Sequence, residues 1–573
     1  MSQQILRALR NRLAAESGAV VKPWGGRLSM ALCYPNTYHQ GMSNLGFQSV
    51  YQQVNADDQF LCERFFLPDP VDLDEHRRTG FPLVSLENQR PLADFDLVAF
   101  SISFENDYLN LPKLFELGRI PLWRVERSER HPLVLAGGVC AFLNPEPLAD
   151  IMDLFAVGEA EVILPALLPV LLGQDLKRWE LLKRLGNVPG LYIPAGYEIG
   201  STSKGDPAMQ NPLPGFPQRV KRQYAPNLDA GQAKTCIATT ETEFGSMNLV
   251  EASRGCPRGC RFCAAGYIYL PFREHSGEHL RREILSDLKN GDKVGLVAAA
   301  VTDYGDLAEL GESILQQGGE VSVSSVRIDA VTPEQVKMLA ASGHKTIALA
   351  PEAGSQRLRD VINKGIDQQQ ILAAVNILAG GGIPNLKLYF MVGLPTETDV
   401  DIEELIDLVK CMRDEWEQLG RRRGRLGRLI LSINPFVPKP FTPLQWSPME
   451  PKNSLEKKCR RLKKELGRLP NVEINFESLR SAELQGALSR GDRALGKILP
   501  LLASGSNLRA ACKELGLDYT DYLYREREQH ESFPWEIVDV GVTREFLWKE
   551  YRAALAARPG TTCRPGCKRC GVC

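Results

Sequence analysis

The chain has 573 residues, 43% hydrophobic and 24% charged, and its 69 basic side chains nearly cancel its 70 acidic ones. That length exceeds one ordinary core and allows roughly three or four domains, while near-zero net charge excludes a generally basic nucleic-acid binder. The sequence contains no apolar run long enough for a bilayer and MSQQILRALRNRLAAESG lacks a secretory apolar stretch, so the fourteen cysteines are expected in a reducing compartment, the cytoplasm, with no membrane partner.

In chain order, residues 1–26 predict an amphipathic helix with Ile5, Leu9 and Leu13 on one face. Residues 27–175 alternate strand-like runs (RLSMALC, DLVAFSISF, HPLVLAGGV, DLFAVG) with helical ones, the pattern of a doubly wound parallel sheet. Ligands of such sheets lie beyond the carboxyl strand ends, here Cys33–Tyr38, Ser101–Glu105 and Gly137–Gly138. Residues 176–244 are punctuated by Pro and Gly and predict a connector with short strands. From 245 to 446, MNLVEAS, KVGLVAAAV, VSVSSVRI, KTIALAPEA, NLKLYFMVG and RLILSINPF give six strands with intervening helices, an open or closed α/β barrel. Residues 447–560 are mainly helical, and 561–573 form a cysteine-rich tail.

Residues 251–266 read EASRGCPRGCRFCAAG and set Cys256, Cys260 and Cys263 within eight positions, directly after the first barrel strand. Three thiols cannot pair completely among themselves, and no adjacent His or Cys gives zinc a fourth ligand. An iron–sulfur cube takes four ligands, so three thiolates leave one iron open to a substrate or cofactor. Gly255 and Gly259 let the backbone wrap so bulky a group.

The Cys-x3-Cys-x2-Cys spacing, with Phe262 before the last cysteine, resembles the signature of the radical S-adenosylmethionine (SAM) enzymes. The resemblance extends over the strands that follow and implies a (β/α)6 partial barrel. It also implies a 4Fe–4S cluster on Cys256, Cys260 and Cys263, SAM held at the open iron, and reductive cleavage to a 5′-deoxyadenosyl radical. An electron donor such as a flavodoxin or ferredoxin is implied with it. ALAPEAGSQRLRDVINKG (348–365) and MVGLPTET (391–398) are similar to strand segments of the branch that contains methylthiotransferases and cobalamin-dependent members. By that likeness Glu352 meets the cofactor ribose or amine, Gly393 and Pro395 bring backbone to the adenine, and Phe262 lies beside it. The plainer readings are a helix-terminus carboxylate, a tight turn and core packing. The family's Gly-Gly-Glu run is missing after the second strand, where Thr302-Asp303 stands, and Gly318-Gly319-Glu320 comes later. Asp303 is the candidate for the cofactor amino group. No residue is assigned to catalysis on the substrate, which the sequence does not disclose.

The N-terminal sheet resembles the cobalamin-binding domain found before many radical barrels. The Asp-x-His-x-x-Gly motif that supplies the cobalt ligand is absent, and His39 in YPNTYHQGMSNLG lacks its companions, so cobalamin either binds without a histidine or has been lost. Cys33 and Cys140 offer two of the three ligands that a methylthiotransferase-type second cluster needs. FVPKPFTPLQW (436–446) and LSRGDR (488–493) resemble an uncharacterised group pairing these two domains. Arg490, Asp492 and Arg493 either anchor an anion or form a surface ion network. The tail, Cys563-x3-Cys567-x2-Cys570-x2-Cys573, has four thiols that would close a site for an auxiliary 4Fe–4S cluster or zinc, or act as a thiol relay. RRRGRLGR and KKCRRLKK could meet RNA, with solvated faces the favoured reading. The expected function is radical SAM chemistry linked to cobalamin, with methyl transfer leading. The alternatives are an RNA-modifying methyltransferase or methylthiotransferase and a non-catalytic iron–sulfur assembly or sensor protein.

Overall fold

The computed structural model describes residues 2–572 apart from 174–175, 201–209, 232–233, 324, 425 and 565. Its first sheet contains β1 (Leu28–Tyr34), β2 (Phe60–Phe66), β3 (Leu97–Ser101), β4 (Leu133–Gly137), β5 (Leu154–Ala156) and β6 (Leu191–Tyr192), ordered β2-β1-β3-β4-β5-β6. The first five are parallel and β6 closes the edge antiparallel. β1 is buried almost continuously because both faces are covered: Met30 and Leu32 enter one core, Ala31 and Cys33 the other. β6 lies inside the Pro/Gly-rich stretch, so the sheet continues past residue 175. Two residues are too few to show a period in sequence, and pairing of Phe155 with Tyr192, whose rings stack at 5.7 Å, fixes them. The helix Gln3–Ala14 buries Ile5 and Leu6 and packs Leu9 and Leu13 against the core of this unit.

The second unit holds all six strands expected between 245 and 446. β7 (Asn248–Glu251), β8 (Lys293–Val297) and β9 (Glu320–Val323) form one parallel sheet. β10 (Thr346–Glu352), β11 (Asn385–Val392), β12 (Leu429–Pro435) and β13 (Val472–Phe476) form another. A backbone bond from Val326 N to Ala348 O (3.1 Å) links the two sheets across the gap between β9 and β10. β13 comes from the mainly helical region; its alternating half-exposed residues mark an edge strand that only its pairing with β12 reveals.

The C-terminal helices fill the angle between the two units. Lys439 of the FVPKPF segment reaches buried Glu105 beyond β3 (2.5 Å), and Asn144 donates to the carbonyls of Ser489 and Gly491. The LSRGDR segment lies inside this joint rather than on the surface. Arg490 is buried on the Ser447 carbonyl (2.9 Å), Asp492 caps Leu495, and Arg493 binds Glu146 (2.8 Å) and the Tyr192 hydroxyl (2.6 Å). Of the basic runs, Lys452–Leu466 buries Leu455, Leu462 and Leu466 and turns Lys458 onto Glu397 and Glu450. Arg421, Arg422 and Arg423 are exposed at the end of the helix before β12. Among the described residues no helix is long and apolar enough to cross a membrane.

Gly354, after β10, lies against the backbone of the helix Asp399–Arg422, where a Cβ would stand 2.1 Å from Leu405 Cα. Gly354→Ala should therefore destabilise the fold by about 2 kcal/mol, read as a lower urea midpoint with an unchanged slope.

Candidate active site between the two α/β units

The carboxyl ends of the two sheets face each other. Beyond β3, β4 and β5 lie Ser103, Gly138 and Gly158; beyond β7 and β8 lie Ser253, Gly255, Ala298 and Ala299; together they border a cavity of about 560 Å³. The first sheet reverses its strand order between β1 and β3, where open α/β sheets bind ligands, and Asn44–Gly46, Ser101 and Ser103 line the cavity there.

A buried ion cluster holds this face-to-face arrangement. Glu159, just past β5, accepts from Arg273 through both oxygens (2.7 and 3.0 Å) and pairs with Arg254 at 2.8 Å, with Arg222 at 3.6 Å. Arg254 also binds Glu161 (2.8 Å) and Glu251 (2.6 Å). Three carboxylates thus meet three guanidiniums between the N-terminal sheet and the start of the barrel. Burial opposes ionisation of Glu159, but the Arg273 hydrogen bonds and the Arg254 and Arg273 charges outweigh it and hold its pKa below the ordinary value.

The cysteine turn begins one residue after Arg254. Arg258 forks onto Asp303 and reaches Asp329 at 3.1 Å. Arg261, fully buried, donates to Glu550 (3.0 Å) and to the carbonyls of Asp360, Val361 and Arg558. Asn363 donates to the Gly259 carbonyl (3.0 Å), and Lys364 pairs with Glu352 (3.2 Å). Burial works against the Lys364 charge, yet Glu352 and Cys260 outweigh it and keep the ammonium protonated. Burial pushes the Cys263 thiol up to about 12 and raises Cys256, with Cys260 adding to both. Burial thus disfavours bare thiolates on this turn, and the three cysteines fit the donor set expected for a cluster, whose cationic iron would offset that cost.

Two family models match, one described as "Radical SAM proteins, N-terminal" over residues 46–194 and one as "Radical SAM superfamily" over residues 250–409. An uncharacterized protein of Methanocaldococcus jannaschii is 30% identical over 489 residues, which is 85% of this chain and 94% of the relative. The chain belongs to the radical SAM superfamily. More partial similarity links this radical SAM protein to a ribosomal protein uS12 methylthiotransferase of Thermosipho africanus, 28% identical over 30% of this chain and 42% of the relative. Among solved structures, the cobalamin-dependent S-adenosylmethionine radical enzyme OxsB with aqua-cobalamin bound shares 16% identity over 67% of this chain and 52% of that one, at a TM-score of 0.43.

The remaining sequence-derived residues of the radical SAM protein distribute unevenly around the turn. Glu352 ends β10 with φ +67° at a break in the β10–β11 register and stays within reach of the turn through Lys364. Asp303 is engaged by Arg258 and, at 3.6 Å, by Arg327, so it braces the turn. Phe262 is half-buried against the core. Gly393 has φ +82°, and a Cβ there would meet Leu455 and Glu450; Pro395 lies two residues on, half-buried. His39 is half-exposed near Glu243 (4.0 Å) and does not line the cavity, while Cys33 and Cys140 are buried in the first core. Cys563, Cys567 and Cys570 lie against the turn itself; Cys573 is outside the described residues.

Sequence reasoning missed Arg254, Arg258, Arg261, Asn363 and Lys364, although each stands within or beside a quoted motif. It also missed Asp229, His275 and His279. Among the described residues they are the group of three metal-binding side chains whose ligand atoms all lie within 4.8 Å; Asp229 and His275 there share a 3.1 Å hydrogen bond.

Glu159→Gln takes the shared charge from Arg273, Arg254 and Arg222 and should cost about 3 kcal/mol. A depressed native pKa stabilises above the unfolded carboxylate value of ~4.3 and is lost as pH falls through the native value. Urea melts should therefore show the wild type losing this increment in acid, whereas Glu159→Gln lacks it at every pH.

Proposed function

We propose that this chain is a radical SAM enzyme whose cluster sits on Cys256, Cys260 and Cys263 and whose substrate enters the cavity between the two units. The observation that carries the reading is the cysteine turn after the carboxyl end of β7, whose flanking residues Ser253, Arg254, Gly255 and Ala265 line the cavity shared with the strand ends of the N-terminal sheet. Bound there, a 4Fe–4S cluster supplies the electron that splits SAM to a 5′-deoxyadenosyl radical. The chain's own part is to orient and exclude water. Arg258 and Arg261 lock the turn from two sides, Asn363 holds the Gly259 carbonyl, and Lys364 puts a positive charge beside Cys260. Glu352 is assigned to the ribose or amine of SAM, with Phe262, Gly393 and Pro395 on the adenine side. Asp303 keeps Arg258 in place. The cytoplasm supplies the reducing setting that such a centre needs.

The proposal extends to a corrinoid lying on the strand ends of the N-terminal sheet, with methyl transfer as the reaction. Its support is the cradle of small residues, Ser101, Ser103, Gly138, Gly158, Ala298 and Ala299, which leaves room for a flat ligand. No histidine lines that cavity among the described residues, so the cobalt would take no imidazole from the protein there.

Anaerobically reconstituted protein given SAM and a strong reductant should release 5′-deoxyadenosine, and Cys260→Ala should lower that release at least 100-fold while leaving the thermal midpoint within a few degrees. Absence of deoxyadenosine from fully iron-loaded wild type would overturn the reading and favour an assembly or sensor role. Corrinoid should copurify at about one per chain; His39→Ala should leave this content unchanged, whereas Ala298→Trp, which fills the cavity, should abolish it, as read from the visible spectrum and cobalt analysis.

A further inference from the structure

The tail repeats the catalytic turn. Cys256, Cys260 and Cys263 are spaced Cys-x3-Cys-x2-Cys, and so are Cys563, Cys567 and Cys570. In both, glycine precedes the second cysteine, and both glycines take the left-handed conformation, Gly259 at φ +73° and Gly566 at φ +76°. Two loops of one chain that share cysteine spacing and a left-handed glycine before the second cysteine suit the same class of metal centre.

The tail is also built into the fold rather than trailing from it. Cys563 N donates to the Pro257 carbonyl (2.7 Å), inside the catalytic turn. Asn363 bridges the two loops by donating to Gly259 O (3.0 Å) and accepting from Gly560 N (2.8 Å). Thr543 N donates to the Cys570 carbonyl (2.8 Å), and Arg569 pins the loop through Thr561 O, Thr562 O and Cys567 Sγ. Cys256, Gly259, Cys563, Cys567 and Cys570 line one cleft. The tail that forms one wall is basic, while Glu550 in the cleft is neutralised by Arg261. Residues 551–573 carry Arg552, Arg558, Arg564, Lys568 and Arg569, all exposed, and no acidic residue.

We propose that Cys563, Cys567 and Cys570 hold a second iron–sulfur cluster in wall contact with the catalytic turn, and that the basic rim around it docks an acidic one-electron carrier protein. One electron leaves the reduced carrier, is taken up by the tail cluster, and passes on to the centre at Cys256–Cys263; the carrier departs oxidised by one electron. The tail site stands on its own geometry, and only the onward transfer rests on the function proposed above. Charge complementarity selects the carrier: five exposed cations bind an acidic protein through a salt-screened attraction that raises the encounter rate.

The test uses full-length protein reconstituted anaerobically with iron and sulfide. Wild type should hold about eight irons per chain, and C256A/C260A/C263A and C563A/C567A/C570A about four each, one cube apiece. Reduced wild type should show an electron paramagnetic resonance signal broadened by interaction between two near clusters, which either triple variant loses. In the tail variant, deoxyadenosine formation with reduced flavodoxin should fall at least tenfold further than with titanium(III) citrate, a small reductant that needs no carrier site. Arg564→Glu/Lys568→Glu should keep all eight irons, raise the flavodoxin concentration for half-maximal rate about tenfold and flatten its salt dependence. An unchanged iron count in the tail variant, or one zinc per chain at the tail, overturns the second cluster. Equal losses with both reductants, or no effect of charge reversal, overturn the docking role. Should wild type cleave no SAM with either reductant, the function proposed above fails, while four irons retained by C256A/C260A/C263A still upholds the tail site.

Discussion

Glu159 is the residue on which the arrangement turns. The cavity exists only because two surfaces are brought together, and each surface is the open end of a separate sheet. Apolar packing could hold two such units at many angles. A carboxylate shared by Arg254 and Arg273, with Arg222 nearby, fixes the angle, because each partner must meet it at hydrogen-bond distance within a buried space. Arg254 then passes the constraint directly to the cysteine turn that follows it.

The turn owes its shape to residues that are not cysteines. Arg258 is tied to the second and third strand ends through Asp303 and Asp329. Arg261 is tied to the C-terminal helix through Glu550, and Asn363 and Lys364 come from the loop after β10. Each tether comes from a different part of the chain. Preorganisation of this kind costs folding free energy in buried charges and holds three thiols together on one short turn.

The helical C-terminal region is the third element of the same site. Lys439 on Glu105 and Arg493 on Glu146 close it onto the N-terminal sheet, a short ladder pairs Val538 and Asp539 with Val220 and Lys221, and Glu550 and the tail cover the cysteine turn. The chain thus returns to the site it opened with residues 251–266, and contacts separated by some three hundred positions, such as Arg261 with Arg558, complete it.

The six barrel strands and most of the N-terminal sheet were legible in the sequence, because continuous apolar runs are local signals, and cysteine spacing is the local signal that nominates the candidate cluster ligands. β6 and β13 were not: one is two residues long and the other is a half-exposed edge, and both exist by virtue of a partner strand. Arg490, Asp492 and Arg493 read as surface charge, yet they lie inside an interdomain joint, since a charge pattern carries no information about which distant carbonyls will meet it. The sequence by itself determined the parallel α/β scaffold and the radical SAM cysteine spacing set on it, because both are local patterns. Only the tertiary structure decided which surfaces the cysteine turn stands among, because the ion cluster at Glu159 and the seating of the tail on Pro257 join segments that no local pattern connects.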